Sequence, residues 1–301
     1  MALAAQDVSF KATVPVVIAP VTVTGKNGKL INGLESAAFT VLDNGRSVKA
    51  TIDPIEFTSS PVAIAELIQR TASSGPALLK IAKVGAMIQP LLAGERGAAA
   101  VIGYSHTIDV MQEFTRDERL IARAFRLAAP QMSGGGKMLD AIATAVEMFK
   151  RRPPGDRRII LVIGESRDRG SETTLEATLE MLQRENVQIY AATYSNSKTQ
   201  WTTRAADLKQ SGAPMDLTAG IDALIRLGKT NTAQALTAHG GGRKIGFATL
   251  KSLEKAIEQI SEELHGQYVA SFPASGPPGY HTITITVAGA NVVTRQGYWS
   301  R

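Results

Sequence analysis

Residues 249–272 read TLKSLEKAIEQISEELHGQYVASF, and this stretch decides the fold. Leu253, Ile257, Ile260 and Leu264 recur at helical spacing, which predicts an amphipathic helix over 250–264 with one buried stripe. After Gly266 the period changes. The segment HTITITV at 281–287 alternates as a half-buried antiparallel strand does, and VVTRQGYW at 292–299 follows it as more β structure.

Upstream, from Pro61, short apolar runs alternate with helical patterns, which implies a parallel sheet with crossover helices on both faces. Strands are predicted at 62–68, 98–104, 158–164, 187–193 and 243–247. The first helix starts at Pro76, carries Leu78, Leu79, Ile81, Val84, Ile88 and Leu91, and closes at Gly94. Thr115 and Glu118 have capping-box spacing for a helix over 116–128 that buries Leu120, Ile121, Ala124 and Leu127. A third helix spans 137–151, and Ser171 caps a fourth that reaches residue 185. Within 194–236 two further helices are expected, at 215–227 and 232–238.

Residues 10–57 read as β structure. Gly25-Lys26-Asn27-Gly28 supplies a turn from which a hairpin is expected. Asp43-Asn44-Gly45 is a type I′ turn signal leading to a returning strand over 48–52. The expected division is a first sandwich part at 10–58, an α/β unit at 61–265 and a second sandwich part at 266–301.

A chain of 301 residues suffices for one large or two ordinary units, and 44% hydrophobic against 20% charged residues is a globular composition. Cysteine is absent, which excludes disulfides, thiolate metal sites and a cysteine nucleophile. No segment reaches the roughly 18 apolar residues of a membrane span. The net charge of +6 does not point to nucleic acid, because no recognition helix or aromatic-laced basic sheet accompanies it. Its densest cluster, Lys150, Arg151, Arg152, Arg157 and Arg158, brackets Pro153-Pro154-Gly155 and reads as solvated loop charge. The opening MALAAQ looks like the tail of a secretory signal, so a mature exported protein, periplasmic or extracellular, is expected.

Several of these stretches carry a family resemblance. The chain resembles the acidobacterial von Willebrand factor A-related proteins, whose last helix ends in a phrase like EELRSQYVLGY before a strand, a hairpin and a final RRGYY. Glu262, Glu263, Leu264, Gln267, Tyr268, Val269, Arg295, Gly297 and Tyr298 occupy the matching places. FKATVPVVIAPVTVTGKNGKLINGLESAAFTVLDNGRSVK at 10–49, MQEFTRDERLIARAF at 111–125 and RRIILVIGESRDRGSETTLEATLEMLQRENVQIYA at 157–191 extend the likeness over nearly the whole chain. The fold it implies is α/β: a von Willebrand A-like doubly wound, mostly parallel sheet inserted in a small antiparallel β-sandwich formed by the two terminal segments.

In that fold a metal-ion-dependent adhesion site is built from a DxSxS motif, a threonine from a second loop and an aspartate from a third, around Mg²⁺ or Ca²⁺. Here the first motif falls at Gln69-Arg70-Thr71-Ala72-Ser73, so Gln69 replaces the carboxylate and Arg70 adds a cation. Gly136 stands at the threonine's place beside Lys137, and the third loop reads Ile163-Gly164-Glu165. Hard divalent ions need several oxygen ligands in close array, so the resemblance implies a degenerate site without metal. Any residual Mg²⁺ or Ca²⁺ would rest on Thr71, Ser73 and Glu165. The implied function is a non-enzymatic adhesion or protein-interaction module whose loop face, Gln69, Arg70, Thr71, Ser73, Gly136, Lys137 and Glu165, binds a protein partner. Arg70 and Lys137 are expected to attract an acidic side chain directly. The alternative is a metal-dependent adhesion site, or an enzyme using the same crevice.

Other residues suggest less. Gly134-Gly135-Gly136-Lys137 lacks the spacing of a phosphate-binding P-loop. His106, His239, His265 and His281 show no zinc-site spacing, and Ser73-Ser74-Gly75 makes no nucleophile elbow. Glu66, inside an apolar strand, is expected to have a basic or hydrogen-bonding partner or else a raised pKa, with a structural ion pair preferred over a general base. Tyr268, Tyr298 and Trp299 are expected to pack on the sandwich.

Overall fold

The computed structural model describes residues 16–55, 61–132, 134–153, 155–194 and 219–300, with the backbone alone at 73, 86, 89, 219 and 220. The expectations for the MALAAQ opening, for β structure at 10–15 and for helix at 215–218 lie outside the described residues.

The central sheet has six strands. Five are parallel: β5 (Val62–Gln69), β6 (Ala98–Tyr104), β8 (Arg157–Gly164), β9 (Val187–Thr193) and β10 (Lys244–Gly246). The sixth, β7 (Ile108–Thr115), is an antiparallel edge on β6. The order β10-β9-β8-β5-β6-β7 reverses direction between β5 and β8, which are neighbours at the centre. Every residue of β5, β6 and β9 is buried, as strands covered on both faces must be.

Helices cover both faces. α1 (Gly75–Ile88), α2 (Glu118–Leu127) and α7 (Leu250–His265) share one apolar cluster with Ile64, Ile68 and Leu161. α3 (Met138–Lys150), α4 (Leu175–Arg184), α5 (Ala219–Thr230) and α6 (Thr232–Gly240) share the other with Ala65, Leu67 and Ile160. Leu253, Ile257, Ile260 and Leu264 of α7 are all buried, as their spacing predicts.

The terminal segments form two four-stranded sheets around a third core. One is ordered β13 (Asn291–Thr294), β1 (Val16–Thr24), β11 (Tyr268–Pro273), β4 (Thr51–Pro54). The other is β14 (Gly297–Ser300), β12 (Gly279–Val287), β2 (Phe39–Asp43), β3 (Arg46–Ser47). Residues from both ends of the chain therefore interleave, and the doubly wound unit is an insertion between them. Tyr268 and Tyr298 are buried in this core, and Trp299 stacks edge-on against Tyr280.

Several local expectations are corrected. The turn at 25–28 is followed by a single bridge, Thr24 to Leu30, and not by a hairpin. β1 is buried along most of its length and takes its partners from the C-terminal segment. Asn44 and Gly45 do have the positive φ of a type I′ turn, 48° and 74°. The returning strand, however, splits: β3 stays with β2, while β4 crosses to lie beside β11. The Thr115–Glu118 capping box does not form, because Thr115 still belongs to β7; Asp117 caps α2 by accepting from the Arg119 amide at 2.9 Å. The buried face of α2 is Ile121, Ala122, Ala124 and Phe125, leaving Leu120 and Leu127 exposed. Leu79 is exposed on α1. Thr174, not Ser171, caps α4.

Candidate functional site

At the reversal between β5 and β8 the two strands end side by side, the position at which doubly wound sheets generally bind ligands. Gln69 is the last residue of β5 and is buried. Its Oε1 accepts from the Glu165 amide at 2.6 Å, and its Nε2 donates to Thr71 Oγ1 at 3.2 Å. Gly136, in the second loop, lies against the same amide; a Cβ there would stand 3.1 Å from Gln69 Nε2. One primary amide thus touches all three loops. A carboxylate there would only accept, and could not donate to Thr71 Oγ1 as the amide does.

Further bonds tie the loops to each other. Thr71 Oγ1 and Ser74 Oγ lie 2.8 Å apart, and Tyr194 OH donates to Ser74 Oγ at 2.8 Å. Gly136 and Arg169 exchange two backbone bonds of 3.0 Å, joining the second loop to the third. Asp168 Oδ1 accepts from the Leu139 amide at 3.0 Å and from Ser171 Oγ at 2.6 Å, so the third loop caps α3. Asp140 Oδ1 returns the contact by accepting from the Thr173 amide at 2.8 Å. Burial works to raise the Asp140 pKa, but the Thr173 and Glu172 amides and the Lys137 ammonium outweigh it and hold it below the usual carboxylate range. Burial raises the phenol pKa of Tyr194 and of Tyr104, whose hydroxyl closes the floor behind Gly164.

Of the expected site residues, Gln69, Thr71, Gly136 and Glu165 come together, and the Ser73 side chain lies outside the described atoms. The two cations do not converge on the pocket. Arg70 turns toward β6 and β7, where Nη1 meets Asp109 Oδ2 at 2.9 Å and Nε donates to the Ala129 carbonyl at 3.0 Å. Lys137 Nζ sits 3.6 Å from Asp140 and 3.4 Å from Glu172. Capture of a partner's carboxylate by either would exchange one ion pair for another.

A divalent ion does not fit these residues. The Gln69 oxygen is spent on a backbone amide, and its NH₂ group faces the Thr71 hydroxyl that the ion would need. Glu165 has Arg169 Nη2 3.6 Å from its carboxylate. Among the described residues no group of three or more His, Cys, Asp or Glu side chains is placed to hold a metal.

Sequence reasoning registered Gln69 as a lost ligand and missed it as a bridge; it also missed Ser74, Asp140, Asp168 and Tyr194. The signal available was that an amide, unlike the acid it replaces, both donates and accepts. For Glu66 the ion pair is corrected in favour of the raised pKa: it is fully buried and neither carboxyl oxygen has a hydrogen-bond partner among the described residues. Burial raises its pKa well above the ordinary glutamate range. The charge cluster at 150–158 is not simply solvated. Arg152 pairs with Asp156 at 2.7 Å, Arg158 pairs with Glu185, and Arg157 is half-buried.

No protein-family model matches the chain. No curated protein sequence matches it either. Among solved structures it is similar to a von Willebrand factor type A protein from Catenulispora acidiphila, with 10% identity over 96% of this chain and 76% of that one and a TM-score of 0.49. It is also similar to the conserved hypothetical protein BatB from Bacteroides thetaiotaomicron, with 16% identity, 67% and 98% coverage and a TM-score of 0.49. The von Willebrand domain of the type V pili tip protein Mfa5 from Porphyromonas gingivalis gives 11% identity, 67% and 94% coverage and a TM-score of 0.43. Likenesses this distant carry no functional inference; the site does.

Proposed function

We propose that the chain is an exported, non-enzymatic interaction module whose loop face at the C-terminal ends of β5 and β8 binds a protein partner without a metal ion. The observation that carries this reading is the buried Gln69 amide, which holds the three loops together where an ion would otherwise be required. Loops fixed in advance lose little entropy on association. The hydroxyls of Thr71, Ser74 and Tyr194 bond one another, an arrangement that stiffens the face and arms no nucleophile. Met132, next to the Gln131 that bridges to Thr71, is 99% exposed, and methionine is a side chain enriched where proteins meet. Among the described residues no helix is long and apolar enough to cross a membrane.

A photoreactive residue placed at 132, at 172 and, as a control, at the exposed α7 position 258 tests the reading in the native host. A protein adduct is expected from 132 or 172, unchanged by chelator, and not from 258. Adducts that vanish with chelator, or loop positions that give none beyond the control, would overturn it.

A further inference from the structure

A second site lies at the opposite, N-terminal edge of the parallel sheet, where the sandwich packs against it. A cavity of about 220 Å³ there is lined by Ile18 and Pro20 of β1, Val269 of β11, Arg157 of β8, Gln188 of β9 and Arg295 between β13 and β14. Arg295 is 4% exposed. Its Nη2 donates to Asn186 Oδ1 at 3.0 Å, and its Nε has no hydrogen-bond partner among the described residues. Arg157 donates only to neutral oxygens, the Leu264 carbonyl and Gln267 Oε1, each at 3.1 Å.

Neither guanidinium has a carboxylate partner among the described residues. Glu185 pairs with Arg158, and Glu263 pairs with Arg243 at 2.6 Å. Burial and the Arg295 charge push the His239 pKa down to about 3, while burial and the Arg157 charge lower that of His265. Burial alone lowers both arginines, Arg295 to about 10. A buried cation without an anion costs several kcal/mol, and arginine is the side chain best matched to the planar and tetrahedral oxyanions that remove that cost.

We propose that this cavity binds a small oxyanion, a phosphate or sulfate group, between Arg157 and Arg295. Its volume is below the roughly 300 Å³ at which sites for larger ligands begin, which restricts the anionic part to that size. An adjoining cavity of about 450 Å³ shares Ile18, Asn186 and Arg295 and adds Tyr298 and Trp299. The site therefore suits either the free ion or a phosphate ester whose apolar body lies against those rings.

The full chain is titrated with sodium phosphate, and separately with phenyl phosphate, by calorimetry and thermal unfolding against sodium chloride of equal ionic strength. Saturable one-to-one binding is expected, with Tm raised by about 5 °C at a hundredfold excess over Kd. Tighter binding of phenyl phosphate identifies an ester as the ligand, and equal binding the free ion. Arg157→Gln, which keeps a polar group for Gln267, is expected to weaken binding at least tenfold while the circular dichroism stays native. Arg295→Gln should do the same, and Arg157→Gln decides the matter if that variant fails to fold. No stabilisation beyond chloride, or undiminished binding by Arg157→Gln, overturns the proposal. So does binding that appears only in Glu56→Gln, because the chain's own carboxylate one residue beyond Ile55 would then be the anion.

Discussion

Glu66 is the residue whose chemistry departs furthest from its surroundings. It shares a face of β5 with Ile64 and Ile68, lies in register between Val101 and Leu161, and points into the cluster covered by α1 and α7. Its folded pKa is raised above the unfolded one, so the folded state holds the proton that the unfolded state releases. Stability linked to this group is full below about pH 4.5 and is lost as pH rises through the folded pKa, at up to about 1.4 kcal/mol per unit. Glu263, pushed up to about 7 by burial against the pull of Arg243, loses its share between about 4.5 and 7. Comparing wild type with Glu66→Gln cancels Glu263 and every other shared group. The expected result from urea unfolding at several pH values is a difference that moves in favour of the variant as pH rises. A difference constant with pH would mean that Glu66 is ionised and paired in solution. The sequence disclosed that a carboxyl sits in an apolar strand. It could not disclose that no described residue partners it, because any partner comes from elements distant in the chain.

At the scale of single elements, periodicity located nearly all the helices and parallel strands but not their rotation. Leu79 and Leu127 fit a helical stripe by spacing, yet the stripe that meets the sheet is set by Ile81 on α1 and Phe125 on α2, where Gly85 lets the ring approach. Leu79→Ala and Leu127→Ala are therefore expected to change stability by less than about 0.5 kcal/mol, whereas Ile81→Ala costs about 2–5 and Phe125→Ala about 3–5. Equal losses in chemical denaturation would return the buried face to the one the spacing suggests. β7 escaped notice because an edge strand half open to solvent, with two register shifts, shows no clean alternation. The three loops were legible as places and not as bonds. Gln69→Asp tests the bond: it removes the bridge and supplies the missing carboxylate. A loss of about 2–4 kcal/mol is expected. Thermal unfolding with Mg²⁺ or Ca²⁺ should restore part of that loss in the variant and leave the wild type unmoved; stabilisation of the wild type would show that Gln69 does not exclude the ion.

Across the whole molecule, the interleaving of both chain ends makes the sandwich and the inserted unit depend on each other. β1 is paired on one side with β11 and on the other with β13, so no sandwich exists until the intervening α/β unit has brought the C-terminal strands back. The two parts are then joined by specific contacts. Gln267 Nε2 donates to Thr22 Oγ1 and to Tyr190 OH, each at 3.1 Å, linking β1 to β9. Gln183 of α4 grips the backbone of Trp299 twice, donating to its carbonyl at 3.1 Å and accepting from its amide at 2.8 Å. His239 and Tyr280 pack around the same indole. Contacts of this kind couple the unfolding of the sandwich to that of the sheet. In a Trp201→Phe background Trp299 is the sole tryptophan, and the denaturation curve of its selectively excited fluorescence is expected to coincide with the loss of helical circular dichroism. Adding Gln183→Ala removes both bonds to β14, lowers the common midpoint by an amount corresponding to about 1–3 kcal/mol, and leaves the two curves together if the remaining contacts suffice. A fluorescence transition that precedes the helical one in the parent would show that the sandwich unfolds alone. The Arg157–Arg295 cavity lies in this same junction, so an anion bound there should move both curves by the same amount.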